Sequence, residues 1–343
     1  MTRKETDTCL LCKSRESTKT NSHWIPASML KSMVGKRNYE ESYNITNAPS
    51  ERIEAYYGRS NLKNTDPELK EHHYALDYIF CPICEDNLGK IEGNVVPIIQ
   101  NEIRLTNKAA NYSEKVSLLK IPYKECDRLS NARFKILIYS LIWRISIIYK
   151  LQYGQEIISE DILEELREIL HEFLPLELTE IDRRNEEIKN FDFQVITADY
   201  FVNSSRNLVY TEKIYSNPSL FYFSEFIVLF YSEGYSIDPN NQYHLPIKSI
   251  IEFPEILNES GNSPKIGFIT PDHFDNLCKV VLIEAAESLM NNLTKEVVDC
   301  SGNSYIESRR LIHQIGLDIH RRTGNLISSC YYDASRIICE GLD

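Results

Sequence analysis

The sequence predicts an α+β protein, and three observations carry that prediction. Two Cys-x-x-Cys pairs, Cys9-Leu10-Leu11-Cys12 and Cys81-Pro82-Ile83-Cys84, bracket an N-terminal stretch too small to fold on a core of its own. Residues 192–268 are rich in short β-branched and aromatic runs divided by Asn, Gly and Pro turns. Segments with helical apolar spacing lie on either side of those runs. The expected division is a cysteine-stapled module over 1–108, followed by a larger α+β domain over 109–343 with long helices and an antiparallel sheet.

Local chemistry justifies each element in turn. The first hook sits on a turn, and a short β segment follows through Ser22-His23-Trp24-Ile25-Pro26. Pro26 suits the first turn of a helix over 27–34, where its missing N–H costs nothing, and Gly35 suits the C-terminal cap. Residues 38–75 carry Asn, Ser, Gly and Pro throughout and read as a long insertion or irregular loop. Tyr74–Phe80 reads as a strand delivering the second hook, and Glu85–Ile103 as the helix behind it. Residues 106–125 read as a linker, and 128–150 as a strongly apolar helix. Ser159 caps a helix that ends near Phe173, with Pro175 behind it. Strands are expected at 193–201, 208–215, 220–231, 247–253 and 265–269. Thr270-Pro271-Asp272 opens a helix to 292, and the capping box Ser304-Tyr305-Ile306-Glu307 opens another to Thr323, stopped by Gly324.

Composition excludes several classes. The opening Met-Thr-Arg-Lys-Glu-Thr-Asp has no apolar core, so no signal peptide is expected there. The most apolar run holds Lys135 and Arg144, which suits a buried helix and not a membrane span. A cytoplasmic protein is expected. Its nine cysteines, an odd number, argue against a disulfide framework, and Cys126, Cys278, Cys300, Cys330 and Cys339 read as buried thiols. A net charge of −12 argues against a general nucleic-acid binder. The charge is uneven, with eight Lys/Arg against three acids in residues 1–37. No Gly-rich phosphate loop, nucleophile elbow or dinucleotide fingerprint is present.

Four thiolates on two such hooks can close a tetrahedral zinc site, so Cys9, Cys12, Cys81 and Cys84 are the expected ligands of a structural Zn²⁺. Second hooks of this kind open a helix whose dipole favours thiolate. Hook, strand, second hook and helix is the order of a treble-clef zinc finger. With His23 in Ser22-His23-Trp24-Ile25-Pro26 between the hooks, the chain resembles the HNH (ββα-metal) endonuclease superfamily over residues 9–93. It also looks like a group of bacterial HNH-like proteins with a Ser-His-Ile-Ile-Pro stretch and a later Leu-x-Trp-Arg-x-Ser helix, matched here by Leu141-Ile142-Trp143-Arg144-Ile145-Ser146.

The resemblance implies hydrolysis of phosphodiester bonds in nucleic acid, DNA in the first place, with bacterial antiviral defence as a setting. His23 would be the general base. A divalent ion, Mg²⁺ or Mn²⁺, would bind the scissile phosphate, with Glu85 as its ligand on the helix. Asn87 and Glu92 stand nearby, as do His72 and His73 ahead of the second hook. Ser22 occupies the place of the family's acidic or histidine ligand. The alternative expectation is therefore a catalytically inactive binding or adaptor module. No membrane partner is expected; a second copy of the chain or a defence-system protein is. Two other features stand out: Tyr56-Tyr57-Gly58-Arg59 as a base-stacking loop, and His313 and His320 with Arg309, Arg310, Arg321 and Arg322 as a basic helix face.

Overall fold

The computed structural model describes residues 3–30, 75–104, 111–117, 121–153, 156–198, 209–212, 217–223, 226–236, 250, 254–258, 263–323 and 327–340. The fold is α+β. Its contacts divide it into two compact units, Met1–Asn276 and Leu277–Asp343, so residue 108 lies inside the first unit.

The N-terminal module contains β1 (Ser22–His23), α1 (Ala27–Leu30), β2 (Ala75–Leu76) and α2 (Pro82–Val96). The strand expected over 74–80 is shorter, because the chain turns at Asp77–Phe80 with Tyr78 at φ 59°. The helix starts before Glu85: Cys81 is the extended N-cap, and Pro82 takes the first position, where a missing N–H is harmless. Pro97 cannot donate to the helical ladder, and from there the backbone widens into a π turn over Pro97–Asn101. Of the helix expected over 27–34, only the first turn lies among the described residues.

Next come β3 (Tyr112–Val116), β4 (Pro122–Cys126), α3 (Asn131–Tyr153), α4 (Glu160–Phe173) and α5 (Leu178–Arg183). They are followed by β5 (Asp192–Ala198), β6 (Val209–Glu212), β7 (Ser219–Phe223), β8 (Phe226–Tyr231) and β9 (Lys265–Ile269). The expected linker near 106–125 is in fact the β3–β4 hairpin at a sheet edge. The sheet has the order β3-β4-β9-β5-β8-β7-β6. It is mixed and not purely antiparallel, because β5 and β9 run parallel. The run 220–231 splits into two antiparallel strands. Most of the strand expected at 247–253 lies outside the described residues.

Every residue of β7 and β8 is buried, so both faces of the sheet centre are covered. One face presents Phe193, Val195, Phe221, Phe226, Val228 and Phe230 to the core built around α3. Alternation by two puts these residues on that side. Phe134 and Tyr139 of α3 reach Phe193, at ring distances of 5.7 and 6.0 Å. On the other face Tyr222 meets Phe274 at 5.9 Å, and Gly267 leaves room for Ile256, whose Cδ1 would lie 2.8 Å from a Cβ there. Among the described residues, no helix is long and apolar enough to cross a membrane.

The C-terminal unit takes in most of α6 (Pro271–Ser301), all of α7 (Tyr305–Thr323) and a helix the sequence reading did not anticipate, α8 (Ile327–Glu340). Ser304 caps α7, its Oγ accepting from the Glu307 N–H at 3.3 Å. Met290, Leu293, Val297, Ile312 and Ala334 form the small core. The expectation of buried thiols is corrected at two positions: Cys300 and Cys339 form a disulfide, with Cα atoms 5.5 Å apart. Two successive helix reversals bring the C-terminal ends of α6 and α8 together, which spacing in sequence does not reveal. Cys126 and Cys330 are buried and free, as expected. The side chain of Cys278 lies outside the described residues.

Candidate metal centre and active site

The first hook is a tight knuckle. Cys9 N–H donates to Arg15 O at 2.7 Å and Lys13 N–H to Cys9 O at 3.0 Å, with Lys13 in the left-handed region at φ 52°. Leu10 N–H reaches Ile79 O at 3.0 Å and so lays this knuckle against the approach to the second hook. The knuckle is also tied to α4: Arg167 donates to Leu11 O at 2.8 Å, and Lys13 Nζ lies 2.7 Å from Glu164.

The sulfurs of Cys9, Cys12, Cys81 and Cys84 all lie within 4.8 Å of one another, and all four residues are buried. Cys12 and Cys81 are 3.9 Å apart. A tetrahedral ion with Zn–S bonds of about 2.3 Å sets its sulfurs about 3.8 Å apart. A soft, closed, all-sulfur donor set of this size fits a metal ion such as zinc and leaves no open position for catalysis. The thiol of Cys84 donates to Cys9, and with the N–H groups of Cys12, Cys81 and Leu11 this lowers Cys9 to about 4 against the opposing effect of burial. The same bond, with burial, pushes Cys84 far up.

His23 sits on β1, paired with Ala75 of β2. It is half-buried, and its Nε2 is buried. Its neighbours anchor the strand: Ile25 is fully buried, and Trp24 stands edge-on to Tyr149 of α3 at 6.4 Å. Arg144 of α3, also buried, donates from Nη1 to the His23 carbonyl at 3.1 Å. The same nitrogen lies 2.7 Å from Glu92 Oε1. Arg144 is itself held by Ser140, through Nε to the carbonyl at 3.2 Å and Nη2 to the hydroxyl at 3.3 Å.

Glu85 lies in the first turn of α2. Burial raises its pKa, while the charge of Arg144 opposes the shift. Ser22 is fully buried, and neither its Oγ nor Glu85 Oε2 has a hydrogen-bond partner among the described residues. Burial likewise raises Glu92, two turns further along α2, against the pull of Arg144. The site thus gathers two carboxylates, a hydroxyl and one guanidinium beneath the sulfur clamp. Neighbouring side chains of a strand project to opposite faces, and it is Ser22 whose hydroxyl neighbours Glu85.

Of the residues singled out in the sequence, the four cysteines come together, and Ser22, Glu85 and Glu92 share the surroundings of Arg144. Arg144 is the residue the sequence reading missed as a site component. The signal was present: an arginine inside an apolar helix needs buried carboxylates or carbonyls to receive it. His72, His73 and Tyr56–Arg59 lie outside the described residues, as does the side chain of His320. No family model, curated protein or solved structure matches the chain.

Proposed function

We propose that the N-terminal module is a zinc-clamped, metal-dependent phosphodiester hydrolase of the HNH type acting on nucleic acid, DNA in the first place. The observation that carries this reading is the pair of buried polar atoms without hydrogen-bond partners, Ser22 Oγ and Glu85 Oε2, next to the strand that holds His23. Two hard oxygen donors in that state suit Mg²⁺ or Mn²⁺ better than a soft ion. Such an ion supplies charge stabilisation to the phosphate and the leaving oxygen. His23 takes the proton of the attacking water. In-line displacement places attacking and leaving oxygens on opposite sides of phosphorus, so the base and the metal ligands would have to address one phosphate from its two sides. Arg144 fixes the strand through the His23 carbonyl and opposes the upward shift that burial imposes on the carboxylates of α2.

The test is cleavage of plasmid DNA by the zinc-loaded protein with Mg²⁺ or Mn²⁺. His23→Ala and Glu85→Ala are each expected to lose about 100-fold or more in rate, in the range of a lost general base or metal ligand. Equal cleavage by all three proteins removes these residues from the reaction.

A second reading rests on the Arg144–Glu92 ion pair. A guanidinium already neutralises part of the carboxylate charge, which suits a module that binds without cleaving. Absence of cleavage by wild type, with retained binding of the same DNA, selects it.

A further inference from the structure

The basic face of α7 borders a cavity of about 490 Å³ in the C-terminal unit. That is the size of a small-molecule site. Its lining combines aromatic rings, Tyr305 and Tyr331, with Arg309, Arg310 and His313 and with the carboxylate of Glu287, which Arg309 neutralises.

The lining is held in place. Gly316 of α7 lets Tyr331 lie flat on the helix: a Cβ there would sit 2.2 Å from the ring. Tyr331 then bonds His313 Nδ1 through its hydroxyl at 2.9 Å. Arg309 is fixed by Glu287 and by Asn291, each at 2.6 Å, and Tyr305 donates to the same Asn291 oxygen at 2.8 Å. Arg310, by contrast, is exposed and makes no ion pair among the described residues. Beside it Ile306 is 82% exposed and Tyr305 42% exposed, so both can meet a ligand in the cavity.

An inorganic anion needs the arginine but not the tyrosines and Ile306. A purely apolar ligand needs the tyrosines but not the arginine. A ligand with a flat aromatic ring and a phosphate uses both, the ring stacking on tyrosine and the phosphate meeting the guanidinium. We propose that this cavity binds a nucleotide, with Tyr305 and Tyr331 contacting the base and Arg310 the phosphate. The nucleotide is either free or one unit of a single strand; the recognition chemistry is the same. The site is independent of the phosphodiester chemistry proposed for the N-terminal module.

The experiment uses the full, zinc-loaded chain with AMP in calorimetry and with a short fluorescein-labelled oligothymidylate in anisotropy. Arg310→Glu and Tyr305→Ala, both at exposed side chains, are each expected to weaken binding about tenfold or more, the scale of one stacked base. Circular dichroism confirms that both variants are folded. AMP binding with this pattern identifies a free nucleotide as ligand. Oligothymidylate binding alone, with the same pattern, identifies a strand. The proposal is overturned if neither probe binds, or if either variant binds as tightly as wild type.

Discussion

Sulfur closes both ends of this molecule, in opposite ways. At the N-terminal end, Cys9, Cys12, Cys81 and Cys84 converge without bonding to one another and are buried. In the C-terminal unit, Cys300 and Cys339 are exposed and joined covalently across helix ends. The first closure needs four reduced sulfurs and an ion; the second needs two oxidised sulfurs and no ion. The disulfide spans a unit whose core is small, while the four cysteines join the same continuous apolar core as α3 and the sheet. One chain therefore carries three kinds of cohesion that answer to three different reagents: chelator, reductant and denaturant.

The comparison breaks most sharply on metal removal. Purified protein is expected to carry one zinc per chain by elemental analysis. Stripping it, or the Cys84→Ser substitution, removes binding free energy on the order of 10 kcal/mol from the module. Limited proteolysis should then cut the hook segments while the β-sheet signal in circular dichroism persists. Reduction is the next largest effect. The disulfide closes a sequence separation of 39, and Cys300→Ser is expected to lower stability by about 2–4 kcal/mol in urea melts, with zinc content unchanged. A loss of zinc in that variant would show that the two closures are coupled.

The smallest effect tests the lashing of the first hook to α4. Glu164, bonded chiefly by Arg167 and also by Lys13, is held at about 2. Its folded pKa lies below its unfolded value, so its contribution is present above the ordinary carboxylate range and is lost as pH falls toward 2. The side chain is 44% exposed, which limits the effect to below about 1 kcal/mol. Glu164→Gln should therefore shift the thermal midpoint slightly at pH 7, and the difference should shrink steadily on acidification.

Legibility in the sequence followed the range of the interaction. The hooks were readable because their residues are neighbours in the chain. The strands near 193, 226 and 265 were readable because β-branched and aromatic runs bounded by turn residues are a local signal. The β3–β4 hairpin was not: Ser113, Glu114, Lys115 and Lys124, Glu125 make it polar, as an exposed edge should be, and a polar strand looks like a loop. The disulfide was not, because helix reversals bring its partners together. At the candidate site, Glu85 and His23 were readable from the hooks that flank them. The Arg144 link to His23 was not, because its acceptor is a backbone carbonyl, which every residue has.

That last bond attaches position 23 to α3 through its main chain, a group every residue shares. Address and reagent are separate at this site. Any side chain placed there inherits the same address, so an exchange of the imidazole reads out reactivity with the scaffold left standing.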